Sequence, residues 1–389
     1  MSWRRWSADT ASYCPSAEDA ILKNFAGFDR AALEELQERI ATVKLLAYGV
    51  TAVGIIVLGL VGNIINLIIL TRPNLKGVTY VYLTWLATFD FLSLTFAIFS
   101  VLRLHGIQPK SYVAAFFYAH LEMPLVNSAM TSSIFIVLAV TLDRYWSVCL
   151  PSRYKDIHTE RWAHLAICIS FIVPILLYIP VGFQKEPTLV INPHTGQEEW
   201  VPCDRLSVSQ HPAYRLYLFV KEVIVRVGPV IVIAMLNTTI ILTFRRLAKK
   251  RKSLVKSTEG RRFAEERRLV ILLASIVIMF CVCMTPAAIN TVLNGDRMEN
   301  NYTYQVFRAF ANDMEISNFA TNFYVYCLCS TEIRDTFCRV FLRPFLWLIP
   351  RTAFGVSTSE RTSPSRDNAS IVMTPSGSRT PHDGLPLDV

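Results

Sequence analysis

The sequence predicts an all-α membrane protein, a seven-transmembrane helix bundle with a short amphipathic eighth helix. Three observations predict it. Of 389 residues, 52% are hydrophobic and only 18% are charged. The apolar residues gather into seven runs, at 43–70, 77–102, 112–147, 162–182, 212–245, 266–294 and 303–329, each long enough for the ~20-residue helix that crosses a hydrocarbon core. Basic residues gather in alternate separators, as they do in loops on the cytoplasmic side. The net charge of +9 therefore reads as loop charge, and no nucleic-acid partner is expected.

Residues 1–42 are polar and mixed in charge, with no apolar core near the start of the kind a cleaved signal peptide carries. Within them Ile21, Phe25, Phe28, Leu33, Leu36 and Ile40 recur at roughly helical spacing. They fit either an amphipathic helix near the membrane surface or a solvated lead-in. The first separator carries Arg72 and Lys76, and the third span is followed by Arg153, Lys155 and Arg161. The densest basic block, Arg245, Arg246, Lys249, Lys250, Arg251 and Lys252, follows the fifth. The alternate separators are longer or more acidic, so the N-terminus is expected outside and the C-terminus in the cytoplasm.

The segment between the fourth and fifth spans holds two β-prone runs, Thr188–Ile191 and Glu199–Val201, around Pro193-His194-Thr195-Gly196. They predict a hairpin over the outer mouth. Asn301-Tyr302-Thr303 is a glycosylation sequon in an outer separator. Asn237-Thr238-Thr239 and Asn368-Ala369-Ser370 fit the same pattern but fall in a span and in the tail. After the seventh span, Ile333, Phe337 and Phe341 repeat every four residues beside Arg334 and Arg339, the pattern of a helix along the inner leaflet. Cys338 on it is either a palmitoylation site or a buried thiol. From Thr352 the chain is rich in Ser, Thr and Pro and is expected to be disordered. The predicted organisation is an extracellular segment 1–42, a seven-helix domain 43–329, an amphipathic helix 330–350 and a cytoplasmic tail 351–389.

The chemistry concentrates at Asp143-Arg144-Tyr145, which closes the apolar run of the third span. Ionisable groups at membrane depth are costly and usually paired, so they mark a functional site. The alternative is two anchors that snorkel to water. Asp90 lies mid-span, where a lone carboxylate would be costly. Neither the nine Cys nor the seven His show metal-ligand spacing, and no internal repeat of a transporter is visible. No enzyme constellation is present, so no catalytic residue and no resident cofactor are expected.

Several motifs, each weak alone, stand in one order on successive spans: Gly62-Asn63, Leu86-Ala87-x-x-Asp90, Asp143-Arg144-Tyr145, Pro229, Phe280-x-x-Cys283-x-x-Pro286 and Asn322-x-x-x-Tyr326. Together they make residues 43–343 resemble a rhodopsin-like G-protein-coupled receptor. Phe323 replaces the family's seventh-span proline, Met284 its sixth-span tryptophan, Asn237 its inner fifth-span tyrosine and Ala119 its third-span cysteine. Asn322–Cys327, with Met235-Leu236-Asn237, resembles a neuropeptide receptor subgroup that includes the FMRFamide-like receptors of invertebrates and some vertebrate orphan receptors.

The resemblance implies roles. Asp143, Arg144, Tyr145, Glu266 and Tyr326 would serve coupling to a heterotrimeric G protein, with Glu266 pairing Arg144 until the sixth helix swings out about Pro286. Asp90, Ser133, Asn318 and Asn322 would bind an allosteric sodium ion, or else enclose a water-filled network. Val126 stands at the family's amine-binding position and Ile316 at its retinal-binding one, which argues against an amine receptor and an opsin. Glu122, Asn127, Glu222, Arg226, Asn290 and Glu315 are the candidate ligand residues, although Glu222 and Arg226 also suit a mutually neutralised pair. A peptide ligand suits so many polar groups; a small polar molecule is the alternative, and a transporter the more distant one. Ser357, Thr358, Ser359, Thr362, Ser363 and Ser365 would be phosphorylated by a receptor kinase for arrestin, and Leu387-Asp388-Val389 would offer a PDZ domain a strand. With Ala119 unable to form the family's usual disulfide, the expected topology leaves Cys14 and Cys203 outside. They either staple the N-terminal segment over the mouth or stay unpaired.

Overall fold

The computed structural model describes residues 30–104, 110–151, 154, 158–191, 196–251, 257–293 and 301–342. They belong to the first of two units into which the chain divides, Met1–Arg343 and Pro344–Val389. Helix α1 runs as Arg30–Lys44, a wide π turn Leu45–Thr51 and Ala52–Leu70. Helix α2 is Val78–Leu104, and α3 is Tyr112–Phe116, a π turn Phe117–Leu121 and Glu122–Cys149. Helix α4, Glu160–Tyr178, tightens into a 3-10 turn at Ile179–Phe183. Strands β1, Lys185–Ile191, and β2, Glu198–Asp204, precede a single turn at Leu206–Ser209. Helix α5 is Pro212–Glu222, a π turn Val223–Val227 and Gly228–Arg251, and α6 is Ser257–Leu293. Helix α7 is split into Tyr302–Ala320 and Asn322–Cys329; α8 is Thr331–Phe337 with a π turn Cys338–Leu342.

Six of these helices are long and apolar enough to cross a membrane. The seventh is interrupted at Thr321 and carries Arg308, Asp313, Glu315, Asn318 and Asn322, because it faces the bundle interior with polar groups. α3 packs on α2, α4 and α5, while α7 packs on α1 and α6. The core joins them through Leu86, Ile134, Ile136, Phe280, Met284, Phe319 and Tyr326, all almost fully buried. Leu58, Ile172, Ile231, Ile278 and Val282 are exposed instead, as a lipid-facing surface requires.

Several boundaries differ from the sequence expectation. α1 starts at Arg30, so part of the expected 1–42 lead-in is one helix with the first span: nothing between Arg30 and Leu70 breaks it. α6 likewise begins at Ser257, ahead of its apolar run. Two π turns stand shortly before prolines, Phe117–Leu121 before Pro124 and Val223–Val227 before Pro229. The extra residue relieves the clash of a proline ring with the preceding turn. α8 is described to Leu342, and the expected residues beyond it, the tail phosphorylation cluster and the last three residues lie outside the described ones.

Gly59 shows how closely the helices meet. A Cβ there would stand 2.5 Å from Leu94 Cδ1 and 2.7 Å from Ala320 Cβ, so only glycine lets α1 seat against α2 and α7. The hairpin forms as the sequence predicts, antiparallel with Lys185 opposite Asp204 and Thr188 opposite Val201. Gly196 in its connection has φ 68°, a left-handed conformation that glycine adopts without strain.

Candidate functional site

The polar residues buried in the bundle form three groups, one near each end and one between. At the end where α3 stops, Arg144 is buried and donates to Thr79 Oγ1 at the start of α2. It also lies 3.0 Å from Asp143 Oδ2, although that oxygen receives no directed hydrogen bond. Asp143 Oδ1 instead contacts His158 Nδ1 at 2.8 Å. The next residue of α2, Tyr80, donates to Glu332 of α8 at 2.6 Å, and Asn74 donates to Thr336 at 2.8 Å. The first turn of α2 thus ties α3 to α8. Beside Arg144 a cavity is walled by Leu83, Val140, Ile240, Leu273 and Val277, with Thr141 and Asn237 as further polar contributors. Tyr145 is half-buried beside this group. The Glu266 side chain lies outside the described ones.

In the middle, Asp90 is fully buried. It accepts from Ser133 Oγ and, at 2.6 Å, from Asn322 Nδ2. Asn63 Nδ2 donates to Gly59 O at 3.0 Å and to Phe319 O at 2.9 Å. The second bond crosses to α7 beside its break at Thr321, so the seventh helix is interrupted even with Phe323 in place of proline. Asn318, Asn66 and Tyr326 are buried as well. Tyr326, expected at the coupling end, lies near enough to Asp90 to feel its charge. Asn63 Oδ1, both amide atoms of Asn66 and the Tyr326 hydroxyl have no hydrogen-bond partner. Asp90 with the Ser133 hydroxyl and the Asn322 amide beside it is a set of hard groups, which would suit a cation such as sodium and holds no soft ligand for zinc or copper.

Toward the hairpin, Arg226 of α5 donates to Glu222 and, from Nε at 3.1 Å, to Glu315 Oε1 of α7. Lys221 Nζ is 2.8 Å from Glu222 Oε1 and 4.7 Å from the centroid of the Tyr178 ring. Two cations and two carboxylates thereby neutralise one another where single charges would be costly. Glu122 stands apart with Arg103, whose Nε is 2.9 Å from Oε2. Beside that pair Lys185 of β1 has its ammonium pushed below the ordinary lysine range, first by burial and then by Arg103, against the pull of Asp204 and Glu122. Asn127 donates to its own helix at Met123 O, 2.8 Å away. Asn290 Oδ1 is buried without a partner. The structure therefore unites Glu222, Arg226 and Glu315 and leaves Glu122, Asn127 and Asn290 outside that cluster. Asn301 caps α7, accepting from Tyr304 N at 3.1 Å, and is exposed. Cys203 is disulfide-bonded; Cys14 lies outside the described residues.

Thr79, His158, Arg103 and Tyr178 belong to these groups and were not legible as site residues. Thr79 and His158 lie in separators or at helix starts, where their partners depend on how α2 and α3 meet. His158 had one signal, an imidazole in a basic loop shortly after Asp143.

The model of the 7 transmembrane receptor (rhodopsin family) matches residues 62–331. A probable G-protein coupled receptor of Caenorhabditis elegans is 32% identical over 314 residues, covering 77% of this chain and 70% of that protein. The FMRFamide receptor of Drosophila melanogaster is 26% identical over 309 residues, 74% of this chain and 52% of that protein. The RYamide receptor of the same fly is 23% identical over 338 residues, 83% and 69%.

Proposed function

The chain belongs to the rhodopsin family of seven-transmembrane receptors, and from that premise we propose that it is a plasma-membrane receptor for an extracellular neuropeptide that activates a heterotrimeric G protein. The observation that carries the coupling half is Arg144, a buried guanidinium at the end of α3 held by Thr79 and Asp143. Released from those partners, it has donors to give a G-protein tail. The basic separators put that end in the cytoplasm and the hairpin outside. The ligand half is supported by the wealth of buried polar groups toward the hairpin and by peptide-receptor relatives. A peptide supplies amides and charges for Glu222, Arg226, Glu315, Asn290 and Asn127, and for Glu122 with its partner Arg103.

Three accessory readings complete the proposal. Asp90, Ser133, Asn318 and Asn322 would hold a sodium ion that favours the inactive arrangement. Asn301, exposed and in extended backbone, would carry the outer glycan. The tail serines and threonines would recruit arrestin after a receptor kinase acts, with a PDZ protein at the C-terminus. The central test is a screen of amidated and free-acid neuropeptides on cells bearing the chain, read as second messenger. A peptide that signals through wild type and fails on Arg144→Ala at equal surface expression is the expected result. Signalling unchanged in Arg144→Ala would refute the coupling role.

A further inference from the structure

The hairpin packs on the start of α3 and is pinned there at both ends. At its base His120 Nδ1 contacts Gly182 O at 2.6 Å, shortly before β1 begins at Lys185. Toward its turn Trp200 N donates to Lys110 O at 3.2 Å. Lys110 Nζ stands 3.3 Å from Glu199 Oε2, and the Tyr112 and Trp200 rings meet edge-on at 5.1 Å. These contacts hold Lys185 near α3 although Ala119 offers the hairpin no sulfur. Further along α3, Glu122 binds Arg103 of α2 through Nε alone, with Oε1 at 3.1 Å and Oε2 at 2.9 Å. The terminal nitrogens of that guanidinium carry most of its N–H donors, and among the described residues they have no acceptor. Lys185 is half-buried. Its strand partner Asp204 is exposed, and among the described residues no hydrogen bond or ion pair reaches the Lys185 ammonium. Burial, and then the repulsion of Arg103, disfavour that charge, and Asp204 and Glu122 offset them only in part. With Glu122 committed to Arg103, one ammonium is left without a close counter-ion.

We propose that Arg103 and Lys185 form an anion subsite at the base of the hairpin, where a carboxylate of the extracellular ligand accepts from the terminal nitrogens of Arg103 and from Lys185 Nζ. The inference rests on the reading that the hairpin end is outside and receives a peptide, and it adds that the peptide is acidic. Charge-assisted bonds are short and strong, and a planar guanidinium suits a planar carboxylate. A bound carboxylate brings Lys185 the counter-charge it lacks and screens it from Arg103. A cationic group in the same place would face both and be turned away.

The test uses the full chain in nanodiscs and three probes on one skeleton. N-acetylglutamic acid α-amide carries a side-chain carboxylate, N-acetylglutamine a C-terminal one, and N-acetylglutamine amide none. Each is titrated at constant ionic strength into the millimolar range, where a small charged group binds. Occupancy is read as protection of Lys185 from acetic anhydride, mapped by mass spectrometry, with the exposed Lys76 as internal control. The carboxylate probes should slow acetylation of Lys185 several-fold and saturably, and the neutral amide should leave it unchanged. Whichever carboxylate protects names its source in the ligand, an acidic side chain or a free C-terminus. Lys185→Gln leaves Arg103 and Glu122 paired, whereas loss of Arg103 would strand a buried carboxylate. That variant should bind the protecting probe about ten-fold or more weakly, read from the probe's shift of thermal unfolding, and Lys185→Arg should recover most of the affinity. Equal acetylation of Lys185 with all three probes, or equal affinity of Lys185→Gln and wild type, overturns the proposal. If that happens while a peptide signals through the chain in the neuropeptide screen, this inference fails alone. If the carboxylates bind and no peptide signals, the subsite stands and the peptide reading fails.

Discussion

At the scale of single residues, burial decides what each charge can do. Asp90 has no exposure and two donors, Ser133 and Asn322, and among the described residues no cation pairs with it. A cation that supplies the missing charge would stabilise the arrangement by mass action, about 2.7 kcal/mol at one hundred times its Kd. Asp90→Asn removes the one carboxylate of this group and should abolish the sodium dependence of thermal stability in the purified receptor. Wild type should gain a few degrees between sodium-free and sodium-rich buffer of equal ionic strength. Equal melting of wild type in both buffers would rule the ion out. Asp90 and Asn322 were legible as functional residues because a carboxylate or an amide at mid-span is costly to bury among apolar side chains unless it has work there. Ser133 was expected in this group through the family resemblance, and the rotation of α3 brings its hydroxyl to Asp90.

At the scale of elements, the decisive contacts are backbone approaches that side-chain chemistry only records. Asn63 bonds two carbonyls, one of its own helix and one of α7, and it can do so because Gly59 one turn before it lets α7 come close. Gly59→Val would drive branched carbons into Leu94 and Ala320, from which even a Cβ stands 2.5 and 2.7 Å away. Overpacking of this kind costs about 1–3 kcal/mol or more. The variant should reach the cell surface at a small fraction of the wild-type level, measured by epitope-tag labelling of intact cells; Gly59→Ala should suffer less. Normal surface density of the valine variant would show that α1 seats elsewhere. The break in α7 carries a related lesson. Phe323 stands where the family carries proline, yet Thr321 interrupts the helix all the same, and the Phe319 carbonyl finds Asn63.

At the scale of the whole molecule, the Glu222–Arg226–Glu315 cluster joins α5 to α7 across the bundle. Removing one partner of such a buried group leaves an unpaired charge, worth about 3–5 kcal/mol. Glu315→Gln should therefore lower the melting temperature of the purified receptor by several degrees. It should also shift basal signalling, because α5 and α7 lose their tie. The exchanged pair Arg226→Glu with Glu315→Arg should recover part of both effects, and recovery is what separates a pairing from mere loss of packing. Full wild-type behaviour of Glu315→Gln would show that the bridge carries no energy.

The sequence by itself determined the helical membrane bundle, the hairpin and the family, and it singled out Asp90 and Arg144 as costly charges. Each of these follows from quantities that can be read along the chain: a run of apolar residues long enough for a bilayer, a turn between β-prone runs, an order of short motifs, a charge where charges are expensive. Only the tertiary structure decided the partners. Glu222 and Arg226 are four apart on one helix, so their pairing was open to inspection, but Glu315 joins them from 89 residues away. Thr79 and Arg103 were invisible for the same reason. A hydrogen bond of about 3 Å is set by how helices rotate and how closely they pack, and that depends on every side chain between them rather than on the residues that finally touch.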